Sequence, residues 1–329
     1  VSVARTILVT GAAGYIGSVV AEQLVERGDT VFAVDNLSTG HAGALHPKAR
    51  FLPVDLGNRE SVDLVFRAYR FDAVIHMAAK SLIPESIADP APFYTANIVG
   101  GLNLINAMVA HGVKPIIFSS SAATYGETDR FPIDETTPTC PMNPYGESKL
   151  AFENILRWYG QAYGLETTAF RYFSAAGASA EYGERHVPET HLIPLVLQAA
   201  AEGRPTNVYG DDYPTSDGTC IRDFIHVIDL AAAHIRALDV PNPEKFRVFN
   251  LGSGTGYSVL EVIRVAEMVT GKSIARNFAP RRAGDPAKLV ATTEKAIREL
   301  DWRPRYQSLA EIIDTAWRWR QAHPQGYVH

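Results

Sequence analysis

The sequence predicts an α/β protein built on a doubly wound parallel sheet, with a smaller C-terminal α/β region for a substrate. Three observations predict it. Short β-branched runs alternate with helical patterns through the first half of the 329 residues, as parallel strands joined by right-handed crossovers do. A glycine-rich turn, "VTGAAGYIGS", falls between the first such run and an amphipathic stretch, where open parallel sheets receive their ligands. After "LETTAFRYF" (165–173) the alternation loosens into "SAAGASAEYGERHVPETH" (174–191), which marks the passage to a second region.

The elements follow in order. "TILVTG" (6–11), "TVFAVD" (30–35), "RFLPVD" (50–55), "DAVIHMA" (72–78) and "PIIFSSS" (115–121) are near-continuous apolar runs of strand length, the pattern of strands buried on both faces. "LETTAFRYF" adds a further strand, and "FRVFNLGSG" (246–254) reads as a strand and turn able to rejoin the sheet. The expected division is a nucleotide-binding domain over 1–173, rejoined by about 222–252, and a substrate domain over 174–329.

Composition narrows the classes. With 46% hydrophobic and 20% charged residues the chain can bury a large core, and a formal net charge of −5 gives no field that gathers nucleic acid. Cys140 and Cys220 are the only cysteines; they are expected to be free thiols in a reducing compartment, the cytoplasm. No run approaches the roughly eighteen apolar residues of a membrane span, and "VSVARTILVTG" passes into a strand without a signal-peptide core, so no membrane association is expected. No metal is expected either.

Gly11, Gly14 and Gly17 form G-x-x-G-x-x-G at a strand-to-helix turn. Lacking Cβ atoms, they let the backbone approach a pyrophosphate whose charge faces the free N–H groups of the helix start. Glycines alone also serve to pack a helix on a strand, but Asp35 closes the second strand where a carboxylate accepts both hydroxyls of an adenosine ribose. The following "NLSTG" holds no arginine for a 2′-phosphate. The expected cofactor is therefore NAD rather than NADP, with Asp55 near the adenine edge.

"NPYGESK" (143–149) sets Tyr145 and Lys149 four residues apart behind a proline suited to a helix start, so both can project from one helix face. A phenol titrates near pH 10 and is a poor base at neutrality, and a neighbouring ammonium together with a cationic nicotinamide favours its phenolate. Ser121 ends the fifth strand and offers a hydroxyl to the same substrate oxygen. Y-x-x-x-K by itself is often a surface pair. Its company makes the difference here.

With these strings, and with "SSSAATYG", "RYFSAAGA", "HLIPLVLQ", "VYGDDYPTSDGTCIRDFIHVIDLA", "FNLGSGTGYSV", "FAPRRAGD" and "WRWRQAHPQGY", the chain resembles the extended short-chain dehydrogenase/reductase family over nearly its whole length, and within it the UDP-glucose (UDP-galactose) 4-epimerases. The resemblance implies a Rossmann-like fold and a homodimer paired through two long helices, with Leu102, Ile105, Ile155 and Tyr159 on the face. It implies UDP-hexose substrates and NAD contacts from the glycine loop with Tyr15 and Ile16, and from Asp35, Asn36, Asp55, Leu56, Asn97, Tyr145, Lys149 and Tyr172. Ser121 and Tyr145 are implied as the proton-handling pair, Lys149 as a nicotinamide-ribose ligand, Arg222 and Arg282 as the diphosphate clamp and Asp285 as a ligand of the uridine ribose. Ser174, His191, Leu192, Tyr209 and Leu289 fall along the implied sugar-nucleotide site.

The chain departs from the family pattern at three places. Ser174 and His191 stand where asparagine is found in other members, and Lys80 lies one place before the position of a family lysine, which Ser81 takes. Leu289 aligns with the residue whose bulk sets the sugar range, and its intermediate size implies glucose and galactose as main substrates with some room for N-acetyl sugars.

The expected reaction is reversible C4 epimerisation through a transient 4-keto sugar. Rivals are an epimerase of UDP-N-acetylglucosamine, UDP-glucuronate or a UDP-pentose, and, outside enzymes, an NAD-sensing binding module. A 4,6-dehydratase needs an acid pair after "SSS", where Ala122 and Ala123 stand. A plain alcohol dehydrogenase would consume NAD stoichiometrically.

Overall fold

The computed structural model describes residues 4–327. Its main sheet contains β1 (Thr6–Thr10), β2 (Thr30–Asp35), β3 (Arg50–Pro53), β4 (Ala73–His76), β5 (Pro115–Ser121) and β6 (Glu166–Tyr172). Later in the chain come β7 (Ser174–Ala176), β8 (Thr206–Tyr209), β9 (Ile221–His226), β10 (Phe246–Leu251), β11 (Gly256–Ser258), β12 (Arg276–Ala279) and β13 (Lys288–Leu289), of which β10 joins the main sheet. The order in the main sheet is β10-β6-β5-β4-β1-β2-β3, parallel throughout. Strand order therefore reverses at β1 and β4, and ligands of such sheets lie beyond the carboxyl ends there.

The apolar runs are continuous because both faces of the sheet are covered. Successive side chains of a strand point to opposite faces. In β1, Ile7 and Val9 join one core with Val19 and Leu24 of helix Tyr15–Arg27 and Leu230 of helix Val227–Asp239, while Leu8 joins the other. That second core adds Val62 and Phe66 of helix Arg59–Ala68, Leu104 and Met108 of helix Gly100–Ala110, and Phe152 and Leu156 of helix Pro144–Tyr163. Each of these side chains contributes on the order of 1.5–3 kcal/mol by leaving water.

After β6 the chain leaves the main sheet. Strands β11, β9 and β13 form a small sheet in that order, with β7 also paired to β9, and β8 pairs with β12. A separate core of Val196, Leu197, Val208, Phe224, Val262, Ile263 and Ile313 lies here. Strand β9 belongs to this small sheet, whereas the helix that follows it packs back on the main one and β10 pairs with β6.

One expectation needs correcting. The helical run Ala91–Ala110, with a π-helical turn over Thr95–Val99, has a mean hydropathy of 1.2 and enough length to cross a membrane by composition alone. It is apolar because its inner side, Leu104, Ile105 and Met108, is core, and 44% of its most apolar window is buried within the chain. Of the four residues expected on a dimer face, Ile105 is fully buried and Leu102, Ile155 and Tyr159 are half-buried; Tyr159 ties its helix to this one by donating to Asn106 Oδ1 at 2.8 Å.

Candidate active site

The carboxyl ends of the main-sheet strands and the inner side of the small sheet wall one cleft of about 1070 Å³, just above the roughly 300–1,000 Å³ of single-ligand pockets. Every catalytic, cofactor or substrate residue expected from the sequence borders it except Asn97.

At the nucleotide end, Gly11 has φ +72°, and a Cβ there would lie 2.6 Å from the Ala78 backbone nitrogen. A Cβ on Gly17 would lie 2.1 Å from the Gly11 carbonyl oxygen. These glycines let the turn fold under helix Tyr15–Arg27, whose Gly14 N-cap supplies no side-chain acceptor, so the helix start remains available to an anion. Asp35 is 9% exposed, with Oδ2 accepting from Ala13 N at 3.0 Å and Oδ1 from Leu37 N at 2.8 Å. Burial raises its pKa, against the pull of those backbone donors. Asn36 donates to Asp55 Oδ2 at 3.1 Å, and Asn36, Ser38, Thr39 and Gly40 wall this end without a cation. The dinucleotide cradle thus fits NAD. Tyr15 borders the cleft, but its hydroxyl donates to Gly177 O at 2.6 Å.

Asn97 sits in the π-helical turn, 3% exposed. Its amide accepts from Lys80 N at 2.8 Å and donates to Lys80 O at 3.0 Å and to Ser148 Oγ at 2.9 Å. It ties the loop after β4 to the tyrosine helix.

The tyrosine helix, Pro144–Tyr163, is placed by its first turn. Asn143 caps it by accepting from Gly146 N at 2.9 Å, and Pro144 occupies the first turn. Gly146 lets it press on the turn after Ser121, since a Cβ would stand 2.5 Å from Ala123 O. The three serines of β5 divide the work. Ser119 O accepts from Lys149 Nζ at 2.7 Å, Ser120 Oγ donates to Glu153 Oε1 at 2.5 Å, and Ser121 borders the cleft. Glu153 is held from behind by Arg171 through two hydrogen bonds of 3.0 and 2.7 Å. Glu153, Arg171, Asn143 and Gly146 were not singled out from the sequence, although the N-P pair is a readable helix start; a buried Glu–Arg pair 18 residues apart on a helix and a strand has no local signal.

Lys149 Nζ lies 5.9 Å from the Tyr145 ring centroid. Burial raises the Tyr145 phenol above its ordinary pKa, opposed by the Ser121 hydroxyl, and burial lowers Lys149 to about 7, opposed by Glu153. These side chains alone therefore do not bring the phenol toward neutrality; the expectation counted on a cationic nicotinamide as well. In a site this dry, desolvation penalises both charges, and a further positive charge in the cleft must supply the rest. Tyr172 borders the same place with its hydroxyl 2.5 Å from His234 Nε2.

At the far end, β9 and β13 align Arg222 beside Leu289 in register, and Arg222 Nη2 forms an ion pair with Asp285. Arg282 lies 4.0 Å over the Tyr209 ring and donates to Thr190 O at 3.4 Å. Two guanidinium groups thus face one end of the cleft, suited to a diphosphate. Ser174 and Leu192 border the passage between the ends. His191 also borders it, but its Nδ1 lies 2.9 Å from Glu184 and 3.1 Å from Glu189. Where no metal was expected, Glu184, His186, Glu189 and His191 converge with ligand atoms within 4.8 Å of one another.

Comparison with known proteins accords with this arrangement. Residues 7–252 match the model of the NAD dependent epimerase/dehydratase family. A UDP-glucose 4-epimerase of Lacticaseibacillus casei is 49% identical over 328 residues, 98% of each chain. A crystal structure of a UDP-glucose 4-epimerase superposes with a TM-score of 0.95 at 48% identity, covering 99% of this chain and 100% of that one. The enzyme of Bifidobacterium longum, crystallised with NAD+ and UDP, superposes with a TM-score of 0.94 at 37% identity over 98% of this chain and 100% of its own. Both the glycine cradle and the paired arginines thus lie within one continuous match, and the chain belongs to the NAD dependent epimerase/dehydratase family.

Proposed function

We propose that the chain interconverts UDP-glucose and UDP-galactose by inverting C4 of the hexose, with NAD bound in the glycine-loop half of the cleft. One observation carries this: Tyr145 and Ser121 stand where the dinucleotide cradle meets the arginine-lined end, within a single cleft. NAD, when bound, supplies reversible two-electron chemistry at C4.

The chain's own residues do the rest. Arg222 and Arg282 hold the UDP diphosphate, each charge-assisted bond contributing on the order of 1.5–3 kcal/mol, and Asp285 meets the uridine ribose. Tyr145 takes the proton of the 4-hydroxyl, directly or through Ser121, and with the C4 hydride accepted by NAD when bound this would leave a 4-keto sugar. Lys149, fixed by Ser119 O, keeps the phenol in place and binds the nicotinamide ribose. Because the grip lies on UDP, the ketone turns over about its phosphate linkage and presents its other face. Tyr145 then returns the proton, and C4 is inverted without net oxidation. Leu289, half-buried beside Phe173 and Tyr125, limits the sugar to hexoses of ordinary size while leaving some space for an N-acetyl group.

The test is product analysis after incubation with UDP-galactose. UDP-glucose is expected, and Tyr145→Phe should lower kcat by about 10²–10⁴-fold with UDP binding unchanged. Turnover within a few-fold of the parent would remove Tyr145 from this role.

The half-buried Leu102, Ile155 and Tyr159, with Trp158 68% exposed, support a homodimer paired through this helix and the run Ala91–Ala110. Separate free thiols at Cys140 and Cys220 suit the cytoplasm.

A further inference from the structure

We propose that Glu184, His186, Glu189 and His191 bind one zinc-like divalent cation, a structural site beside the sugar cleft that is separate from the chemistry at C4. The four residues lie in "GERHVPETH", the segment between β7 and helix Leu192–Glu202.

Distances support a common occupant. The Nδ1 atoms face the carboxylates at 2.9, 3.1, 3.3 and 3.8 Å. A tetrahedral zinc with bonds of about 2.0–2.2 Å sets its ligands roughly 3.3–3.6 Å apart, so a cation would let the shortest contacts open and draw inward, by on the order of 1 Å, the ligand atoms that stand within 4.8 Å of one another. Hydrogen bonding accounts for only part of the arrangement: His191 Nδ1 bonds Glu189 Oε1 at 3.1 Å. His186 Nδ1 is buried and, although close to two carboxylates, has no hydrogen bond of acceptable geometry. A ring nitrogen aimed at a shared centre instead of one acceptor is oriented as a ligand is.

The donor set selects among cations. Two imidazole nitrogens and two carboxylates suit Zn²⁺ and its neighbours, whereas Mg²⁺ and Ca²⁺ favour six or more oxygens. Two carboxylates balance a divalent charge, which a partly buried site requires. The outer layer is also present: Thr190 N and His191 N donate to Glu189 Oε1 at 2.9 and 3.0 Å, and His186 N donates to Oε2 at 3.3 Å. Backbone donors of this kind orient a carboxylate toward a metal.

The site would fasten a loop that touches both halves of the cleft. Thr190 O accepts from Arg282, and Arg185 O faces His41 Nε2 at 2.9 Å, just beyond the residues at the adenosine end. A cation here rigidifies that loop. The competing arrangement is a pair of Glu–His ion pairs with no cation, and it predicts a different outcome.

The full-length chain with NAD is treated with a chelator, desalted, and titrated with Zn²⁺ against a chromophoric chelator, with metal content measured after a second desalting. One zinc per chain is expected, with a rise in Tm on loading and no competition from millimolar Mg²⁺. His186→Ala should weaken binding on the order of 100-fold or more and abolish the Tm rise. Co²⁺ added to the unsubstituted chain should give the intense visible bands of a four-coordinate site, a readout that does not depend on any variant folding. Absence of retained zinc together with the weak bands of six-coordinate Co²⁺ would overturn the proposal, as would undiminished zinc binding in a folded His186→Ala.

Discussion

Lys149 sits where burial and function pull in opposite directions. Its ammonium has one short partner, Ser119 O at 2.7 Å, and the Glu153 carboxylate only partly offsets desolvation, which lowers the amine to about 7. The unfolded chain holds that proton up to about pH 10.4. Between these two values the unfolded state therefore binds more protons, and the contribution of Lys149 to stability rises with pH. His186 and His191 slope the other way. Burial lowers them, but Glu184 and Glu189 more than compensate and raise them to about 9 and 10, so their contribution is full below the unfolded histidine pKa and is lost as pH passes those values. A comparison with Lys149→Met isolates the lysine. In NAD-free protein, the unfolding free energy of the parent minus that of the variant should increase from pH 7 to pH 10 and be flat below pH 6. A flat difference across the whole range would mean that the folded lysine keeps its proton. The same dry surroundings raise the Tyr145 phenol, so the base is made by the loaded site and not by the Tyr–Lys pair alone.

At the scale of elements, the tyrosine helix is fixed by contacts that leave no room for adjustment. Asn143 caps it, Gly146 meets Ala123 O, and Glu153 links Ser120 to Arg171. Gly146→Ala should lift the first turn away from Ser121, destabilise the fold by about 1–3 kcal/mol, and lower kcat more than it changes KM. A variant with parent kcat would show that this close approach is not what registers Tyr145 on Ser121. Much of this level was legible from residues alone. The strands announced themselves because a parallel sheet covered on both sides is apolar at every position, and glycine turn, Asp35 and Tyr145–Lys149 carry local spacing. For Asn97 the sequence gives the neighbourhood and not the direction: its amide faces Lys80 and Ser148. The four-residue Glu/His cluster went unnoticed since its convergence depends on how an irregular loop closes. The run Ala91–Ala110 did not stand out as a continuous apolar stretch because Asn97, Asn103 and Asn106 interrupt it.

At the scale of the whole molecule, two architectures divide binding from chemistry. The main sheet supplies the cradle and the tyrosine helix, while the small sheet supplies Arg222 and Leu289 and the segment after β12 supplies Arg282 and Asp285. On the proposed reading, UDP is held by the second region and the cofactor by the first, with the hexose between them. That division permits a tightly held nucleotide and a sugar free to turn, which inversion by the same cofactor face demands. It also predicts what happens to the C4 hydrogen. UDP-galactose carrying deuterium at C4 and heavy carbon elsewhere in the same hexose, mixed with unlabelled UDP-galactose and converted by chain carrying only its bound NAD, tests this most directly. The expected product is UDP-glucose whose C4 deuterium stays on the heavy-carbon molecules, without accumulation of reduced cofactor. Deuterium crossing to molecules without heavy carbon, or reduced cofactor forming in step with product, would contradict a ketone that turns over while its diphosphate stays bound.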